Sequence, residues 1–310
     1  MRLFALIFAC CLLFSVPSGA QDVANMPFTF VSPKAPKVDP EVEHHHPAMW
    51  RLQTTEVTLI FLGSIHMLPP GLLWQDSRVK EALASADSVV FEVDMEAIRD
   101  PVFAQQLIAA GTLPAGQTLD QILSIEQYTQ LNAICVELGV PIAAINNFKP
   151  GFAVSLLSIL HMEANGFDQE TGVDEVLERA ALAASRQVLA LETTLEQLEA
   201  LLVYYELSPD EVMANVAREY ENSNYLDDML KAWLSGDVEA LAHMFIEEIK
   251  RYPGLYEVLL LRRNTNWIAP LERMINEGGN YLVVAGVAHF IGEDSVINML
   301  RAKGYAVERF

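Results

Sequence analysis

Leu59-Ile60-Phe61-Leu62-Gly63-Ser64-Ile65-His66, near the start of the chain, and Leu282-Val283-Val284-Ala285-Gly286-Val287-Ala288-His289, near its end, share one construction: an apolar run, a glycine, two residues and a histidine. An apolar run of this length closed by glycine reads as a buried strand, and the glycine lets the backbone turn sharply or approach a neighbour closely. The histidine then leaves the strand at its carboxyl end, where open α/β sheets bind their ligands. A second pair follows the same logic. Val89-Val90-Phe91-Glu92 and Leu189-Ala190-Leu191-Glu192 each deliver a glutamate from an apolar run. Two histidines and two glutamates are thus expected along one sheet edge.

Around these runs, short β-branched segments alternate with long amphipathic ones. Strands are predicted over 57–62, 88–93, 140–145, 187–192, 281–285 and 305–310, and helices over 76–86, 125–138, 172–184, 195–205 and 293–303. Gly139 and Gly304 stand just past two of those helices, where a helix stop favours glycine. Interleaving of this kind means an α/β fold, mixed α+β in detail: a central mixed sheet with ends wrapped by many helices. The stretch 195–276 reads as almost entirely helical, a helical insertion or lid in the C-terminal half.

Residues 1–20 have the three parts of a secretory signal: Arg2, an apolar run from Leu3 to Val16, and Ser18-x-Ala20 before the expected cut. Residues 21–47 carry Pro27, Pro33, Pro36, Pro40 and Pro47 and are expected to be a proline-rich arm. His44-His45-His46 within it reads as an exposed loop, because consecutive side chains of an extended chain point in alternate directions. Residues 48–310 then form a single domain. No stable membrane span is expected after signal cleavage, and the location is periplasmic or secreted. With 41 Asp+Glu against 20 Lys+Arg and a formal net charge of −21, the chain has no surface to neutralise phosphates, so no nucleic-acid partner is expected.

Glu92 interrupts an apolar strand in Phe91-Glu92-Val93-Asp94, and burying a carboxylate unpaired is costly, so it needs a cation, a metal or hydrogen-bond donors. An arginine partner would satisfy it structurally. Glu192 has the same logic, with capping of the next helix as the alternative. Two histidines and a carboxylate from separate strand ends are ligand types for a divalent transition metal with open positions. Without metal the same set makes a histidine base oriented by glutamate. Arg262-Arg263-Asn264 offers a guanidinium for a substrate carboxylate or an oxyanion, against the plainer reading of a solvated arginine pair. No Gly-rich phosphate loop, His-Glu-x-x-His helix, Cys-x-x-Cys or Gly-x-Ser-x-Gly elbow occurs.

Taken in order, Pro47-Ala48-Met49-Trp50-Arg51, Gly63-Ser64-Ile65-His66, Ala86-Asp87-Ser88-Val89-Val90-Phe91-Glu92, Gly172-Val173-Asp174, Leu191-Glu192-Thr193, Arg263-Asn264, Gly286-Val287-Ala288-His289-Phe290-Ile291-Gly292 and Leu300-Arg301-Ala302-Lys303-Gly304-Tyr305 resemble the TraB/GumN family. That family is related to the TIKI proteases and, more distantly, to erythromycin esterase and ChaN-like proteins. The resemblance implies a mixed sheet wrapped by helices and a metal-dependent, peptidase-like site. By motif it maps His66, Glu92 and His289 as metal positions, with Glu92 and Arg263 catalytic. The reading that follows is a hydrolase using a divalent ion, Mn, Co or Zn, on a peptide or amide bond. Its rival is a non-catalytic protein that captures a peptide, a glycan fragment or a metal complex in the same crevice.

Of three cysteines, Cys10 and Cys11 fall in the signal, leaving Cys135 in the apolar helical pattern Leu131-Ile134-Cys135-Leu138. A buried structural thiol is expected. Cys135→Ala should therefore lower the melting temperature modestly through lost packing and leave function intact. Loss of function with an unchanged circular dichroism spectrum would instead move the chemistry to the thiol.

Overall fold

A computed structural model describes residues 45–220 and 224–310; the expected signal at 1–20 and the arm up to residue 44 lie outside the described residues. Among the described residues, β1 (Met49–Gln53), β2 (Val57–Ser64), β3 (Ser88–Phe91), β4 (Gln187–Ala190), β5 (Gly279–Gly286) and β6 (Val307–Arg309) form one six-stranded sheet in the order β4-β3-β5-β2-β1-β6. β4, β3, β5 and β2 run parallel, while β1 lies antiparallel to both β2 and β6. The sheet is mixed, as the alternation of elements implies.

The two quoted runs become neighbours. Gly63 lies opposite Ala285 and Ser64 opposite Gly286, so the two chains leave the sheet at the same level. Phe61, Leu62, Val283 and Val284 are fully buried, which is why both strands read as continuous apolar runs instead of alternating ones. Edge strand β4 is the least buried of the four parallel strands, with its inner residues only half-buried.

The helices packed around the sheet are α1 (Ser77–Ser85), α2 (Pro101–Gly111), α3 (Ile125–Glu137), α4 (Pro150–Ala164), α5 (Val173–Ala183), α6 (Thr194–Tyr205), α7 (Pro209–Tyr220), α8 (Tyr225–Leu234), α9 (Val238–Ile249), α10 (Arg262–Glu277) and α11 (Val296–Ala302), with shorter turns between them. Sequence signals mark several ends. Asp76 accepts from Val79 N at the start of α1, and Ser124 and Thr193 close capping boxes on α3 and α6. The helical reading of 195–276 holds over its described residues, and α10 is continuous with a π-helical segment, Glu257–Leu261.

One expected strand is absent. Residues 140–145 form no strand; Gly139, at φ 72°, ends α3, and Pro141 opens a single 3-10 turn, Ile142–Ala144. Proline has no N–H for a ladder, and its neighbours are taken up by the helix stop. β1 was not anticipated. It pairs with β2 across a tight turn in which Thr54 Oγ1 accepts from Glu56 N at 3.2 Å and Val57 N at 3.1 Å. Cys135 is fully buried, and burial pushes its thiol up to about 11.

The glycine of the first motif is a packing requirement. A Cβ on Gly63 would come 2.6 Å from Val287 Cγ2, so the two Gly-x-x-His turns rest directly on each other. Gly63→Ala should cost roughly 1–3 kcal/mol by overpacking. Adding Val287→Ala should recover part of that loss in a denaturant titration. A double variant no more stable than Gly63→Ala alone would place the strain elsewhere.

Candidate functional site

Because β4, β3, β5 and β2 are parallel neighbours, their carboxyl ends deliver Glu192, Glu92, His289 and His66 in that order along one edge. The pairing extends just past the strands, with Glu192 N donating to Glu92 O at 2.9 Å. Glu92 Oε1 accepts the backbone N–H of Gly286 at 2.6 Å, tying the first acid to the second glycine turn.

Arg263 lies across this row. Its Nη2 donates to Glu92 Oε2 at 2.6 Å and to Glu192 Oε1 at 2.7 Å, its Nε donates to Glu192 Oε2 at 2.9 Å, and Nη1 is 3.1 Å from His289 Nε2. Glu192 also accepts from Trp267 Nε1 at 3.0 Å. The helix after Glu192 is capped by Thr193, so Glu192 is a partner of the arginine and not a cap. Trp267 packs its ring 4.3 Å from that of His289 and 5.0 Å from the guanidinium carbon. Arg263 and its neighbour Asn264 are inward positions of α10, with Trp267 one turn further on, on a buried face that includes Leu259 and Leu260. The π-helical segment immediately before Arg263 is a feature often found where a helix presents functional groups. Arg262 is exposed, so the pair of arginines splits between solvent and site.

Each histidine has its own orienting partner. His289 Nδ1 meets Asn264 Oδ1 at 2.6 Å, and the amide is held that way round because its Nδ2 donates to the carbonyl of Asp294 at 2.8 Å. With Nδ1 protonated, a neutral His289 ring accepts from Arg263 at Nε2. His66 Nδ1 is 2.7 Å from Asp174 Oδ2, and Ser64 Oγ donates to Asp174 Oδ1 at 3.1 Å. His66 Nε2 is buried and, among the described residues, has no hydrogen-bond partner.

Glu92, His289 and Arg263 therefore meet directly, with His289 Nε2 3.9 Å from Glu92 Oε1. His66 stands at the other end of the row, within electrostatic reach of Glu92 and Arg263 but hydrogen-bonded to Asp174. The expected crevice is closed, since Glu92, Glu192, His66, His289, Arg263 and Asp174 are all between 0 and 8% exposed. The role of Asp174 was open at the sequence level. Its signal was Gly172-Val173-Asp174, where a Cβ on Gly172 would sit 2.0 Å from the His66 carbonyl oxygen.

Among the described residues, no group of three or more His, Cys, Asp and Glu side chains is gathered so as to hold a metal ion. Glu92 Oε2 and His289 Nε2 are engaged by Arg263, and Glu92 Oε1 by Gly286 N. The donor types nonetheless fit a divalent transition metal. His66 supports that fit, with Nδ1 on a carboxylate and Nε2 unengaged, the usual outer-sphere arrangement of a metal-binding histidine.

Residues 48–309 match the model of the TraB/PrgY/gumN family. The chain belongs to that family. This TraB/PrgY/gumN member is similar to the uncharacterized protein YbaP of Escherichia coli (strain K12), with 28% identity over 249 residues, 77% of this chain and 86% of that protein. It is also similar to a "Metalloprotease TIKI homolog" of Amphimedon queenslandica, 24% identical across 84% of this chain and 61% of that protein. A third relative is "Metalloprotease TIKI2" of Danio rerio, 23% identical across 79% of this chain and 57% of that protein. No solved structure matches. Among the described residues, no helix is long and apolar enough to cross a membrane.

Burial disfavours the ionised forms of both Glu92 and His66. It raises the Glu92 pKa despite Arg263 and His66; at His66 burial lowers the pKa, but the charge and hydrogen bond of Asp174 together with the charge of Glu92 leave it raised. A histidine whose pKa rises on folding contributes stability that is complete below its unfolded value, about 6.5, and is lost as pH climbs through the folded value. The raised Glu92 acts in the same direction, since its folded carboxyl holds a proton longer than its unfolded one. Chelator-treated protein should thus melt at progressively lower temperature as pH rises above about 6.5. Asp174→Asn should flatten that slope. A melting temperature that climbs over the same range would contradict both shifts.

Proposed function

We propose that this protein is an exported, metal-dependent hydrolase with peptidase-like chemistry, acting outside the cytoplasm on a peptide or amide bond. The observation that carries the reading is His66: a buried imidazole oriented by a buried carboxylate, with its second nitrogen unengaged beside an acidic site. The names of the two TIKI relatives point the same way. The residues that would hold the ion are His66, Glu92 and His289, and the ion would be Mn, Co or Zn. Such an ion supplies Lewis acidity to a carbonyl and to water.

The chain's own groups have distinct tasks. Glu92 is the carboxylate that ligates or takes up a proton. Arg263 is the electrostatic clamp. Its bidentate contact with Glu192, at 2.9 and 2.7 Å, keeps the guanidinium in place when Glu92 and His289 turn to other partners. With every group buried, substrate reaches the site only when part of its cover moves, and α10 within the helical stretch carries the arginine. Residues 1–20 support export.

The rival, a binding protein without turnover, draws on the same contacts. Arg263 already satisfies Glu92 and His289, so the closed network holds together without an ion. Glu92→Gln separates the two readings because it keeps size and removes charge, while Glu192 still pairs Arg263. In a hydrolase, turnover of a peptide library with Mn²⁺, Co²⁺ or Zn²⁺ should fall by about a hundredfold to ten-thousandfold with ligand capture retained. Wild-type protein without turnover under any of these ions would leave the binding reading. Cleavage by Glu92→Gln at the wild-type rate would remove Glu92 from the mechanism.

A further inference from the structure

We propose that Asp174 is a positioning residue that locks His66 in one tautomer, with the proton on Nδ1 and a bare lone pair on Nε2, a role that rests on the reading of His66 as a working group of the site. Asp174 is almost fully buried, at 2% exposure, in the first turn of α5. It reaches His66 because Gly172 lets the backbones approach and Val173 N donates to Ile65 O at 3.1 Å. Both of its oxygens are engaged, Oδ2 with His66 Nδ1 at 2.7 Å and Oδ1 with Ser64 Oγ at 3.1 Å. The ionised carboxylate accepts only, so Nδ1 must donate, and a neutral ring then carries no proton on Nε2.

Among the described residues, that nitrogen has no hydrogen-bond partner. Leaving a buried acceptor unmatched is unfavourable, so a fold that needed only a tie between α5 and the β2 turn gains nothing from it. A purely structural tie would tolerate asparagine, which matches the size of Asp174 and offers Ser64 and His66 one donor and one acceptor. The amide is satisfied either way round. It can take the Nδ1 proton or donate to a bare Nδ1, and in the second case the proton moves to Nε2 and covers the lone pair. Tautomer loss through this substitution is a known consequence in carboxylate–histidine pairs. His289 is an internal comparison, since its tautomer is set separately by Asn264.

The test is ¹⁵N-imidazole NMR on the full-length chain, stripped of metal, in alkaline buffer where the rings are neutral. In wild type both His66 and His289 should show a protonated Nδ1 and a bare Nε2. Asp174→Asn should populate the Nε2–H form of His66 and leave His289 unchanged. In parallel, Co²⁺ affinity read from its visible absorption should fall by about 10- to 100-fold. An Nε2–H signal from His66 in wild type, or an unshifted His66 tautomer in folded Asp174→Asn, overturns the proposal. If Asp174→Asn does not fold, the wild-type tautomer decides. A tautomer switch in Asp174→Asn, with no Co²⁺ uptake by the wild-type chain, upholds the positioning role and sinks the metal reading instead.

Discussion

A buried guanidinium between two buried carboxylates organises this molecule. Arg263, Glu92 and Glu192 are each under 10% exposed, and their contacts are 2.6 to 2.9 Å long. Removing three charges from water is expensive, and their mutual attraction offsets that only when the geometry is good and the remaining donors and acceptors are filled. Here they are filled by Gly286 N, Trp267 Nε1, the Leu259 carbonyl and His289 Nε2. Those partners come from β5 and the 3-10 turn that follows it, from the π-helical segment and from α10. The network thus joins the ends of β3, β4 and β5 to the last helix of the long crossover between β4 and β5. Truncating Arg263 would leave both carboxylates uncompensated, at roughly 3–5 kcal/mol for a buried pair.

The parts of this that could be read from the chain are those with a local pattern. Gly63-x-x-His66 and Gly286-x-x-His289 follow apolar runs, so their strands and the shared edge were legible. Glu92 was legible as a buried acid because an apolar strand surrounds it. What was not legible was the partner. Arg263 and Arg262 are equally arginine in sequence, and only the phase of Leu259, Leu260, Trp267 and Leu271 on one helical face separates the buried one from the exposed one. β1 carries an arginine in its middle and drew no strand reading, yet it gains its place from pairing on both sides. The misread run at 140–145 shows the opposite failure. Its β-branched residues favour a strand, and Pro141 with Gly139 overrides them.

Asp174 stayed hidden for a different reason. A helix that opens Val-Asp-Glu reads as acidic residues placed against the positive end of the helix dipole, and that explanation is sufficient at the level of sequence. Its contact with His66 spans 108 residues and depends on how closely two backbones pass at Gly172. No periodicity encodes such an approach.

The two histidines of the repeated motif are therefore unequal despite identical spacing. His289 shares its Nε2 with Arg263, and its Nδ1 faces a neutral amide; His66 has a carboxylate on Nδ1 and, among the described residues, no hydrogen-bond partner on Nε2. A guanidinium and a divalent ion would compete for the same lone pairs on Glu92 and His289. They do not compete at His66. For an ion to use all three residues, Arg263 must release Nη1 from His289 and Nη2 from Glu92. Its bidentate hold on Glu192 is the contact that lets it do so without leaving a buried charge unpaired. The second glutamate, which no ligand set in the sequence reading required, is thereby what makes the arginine's place between cation and clamp physically consistent.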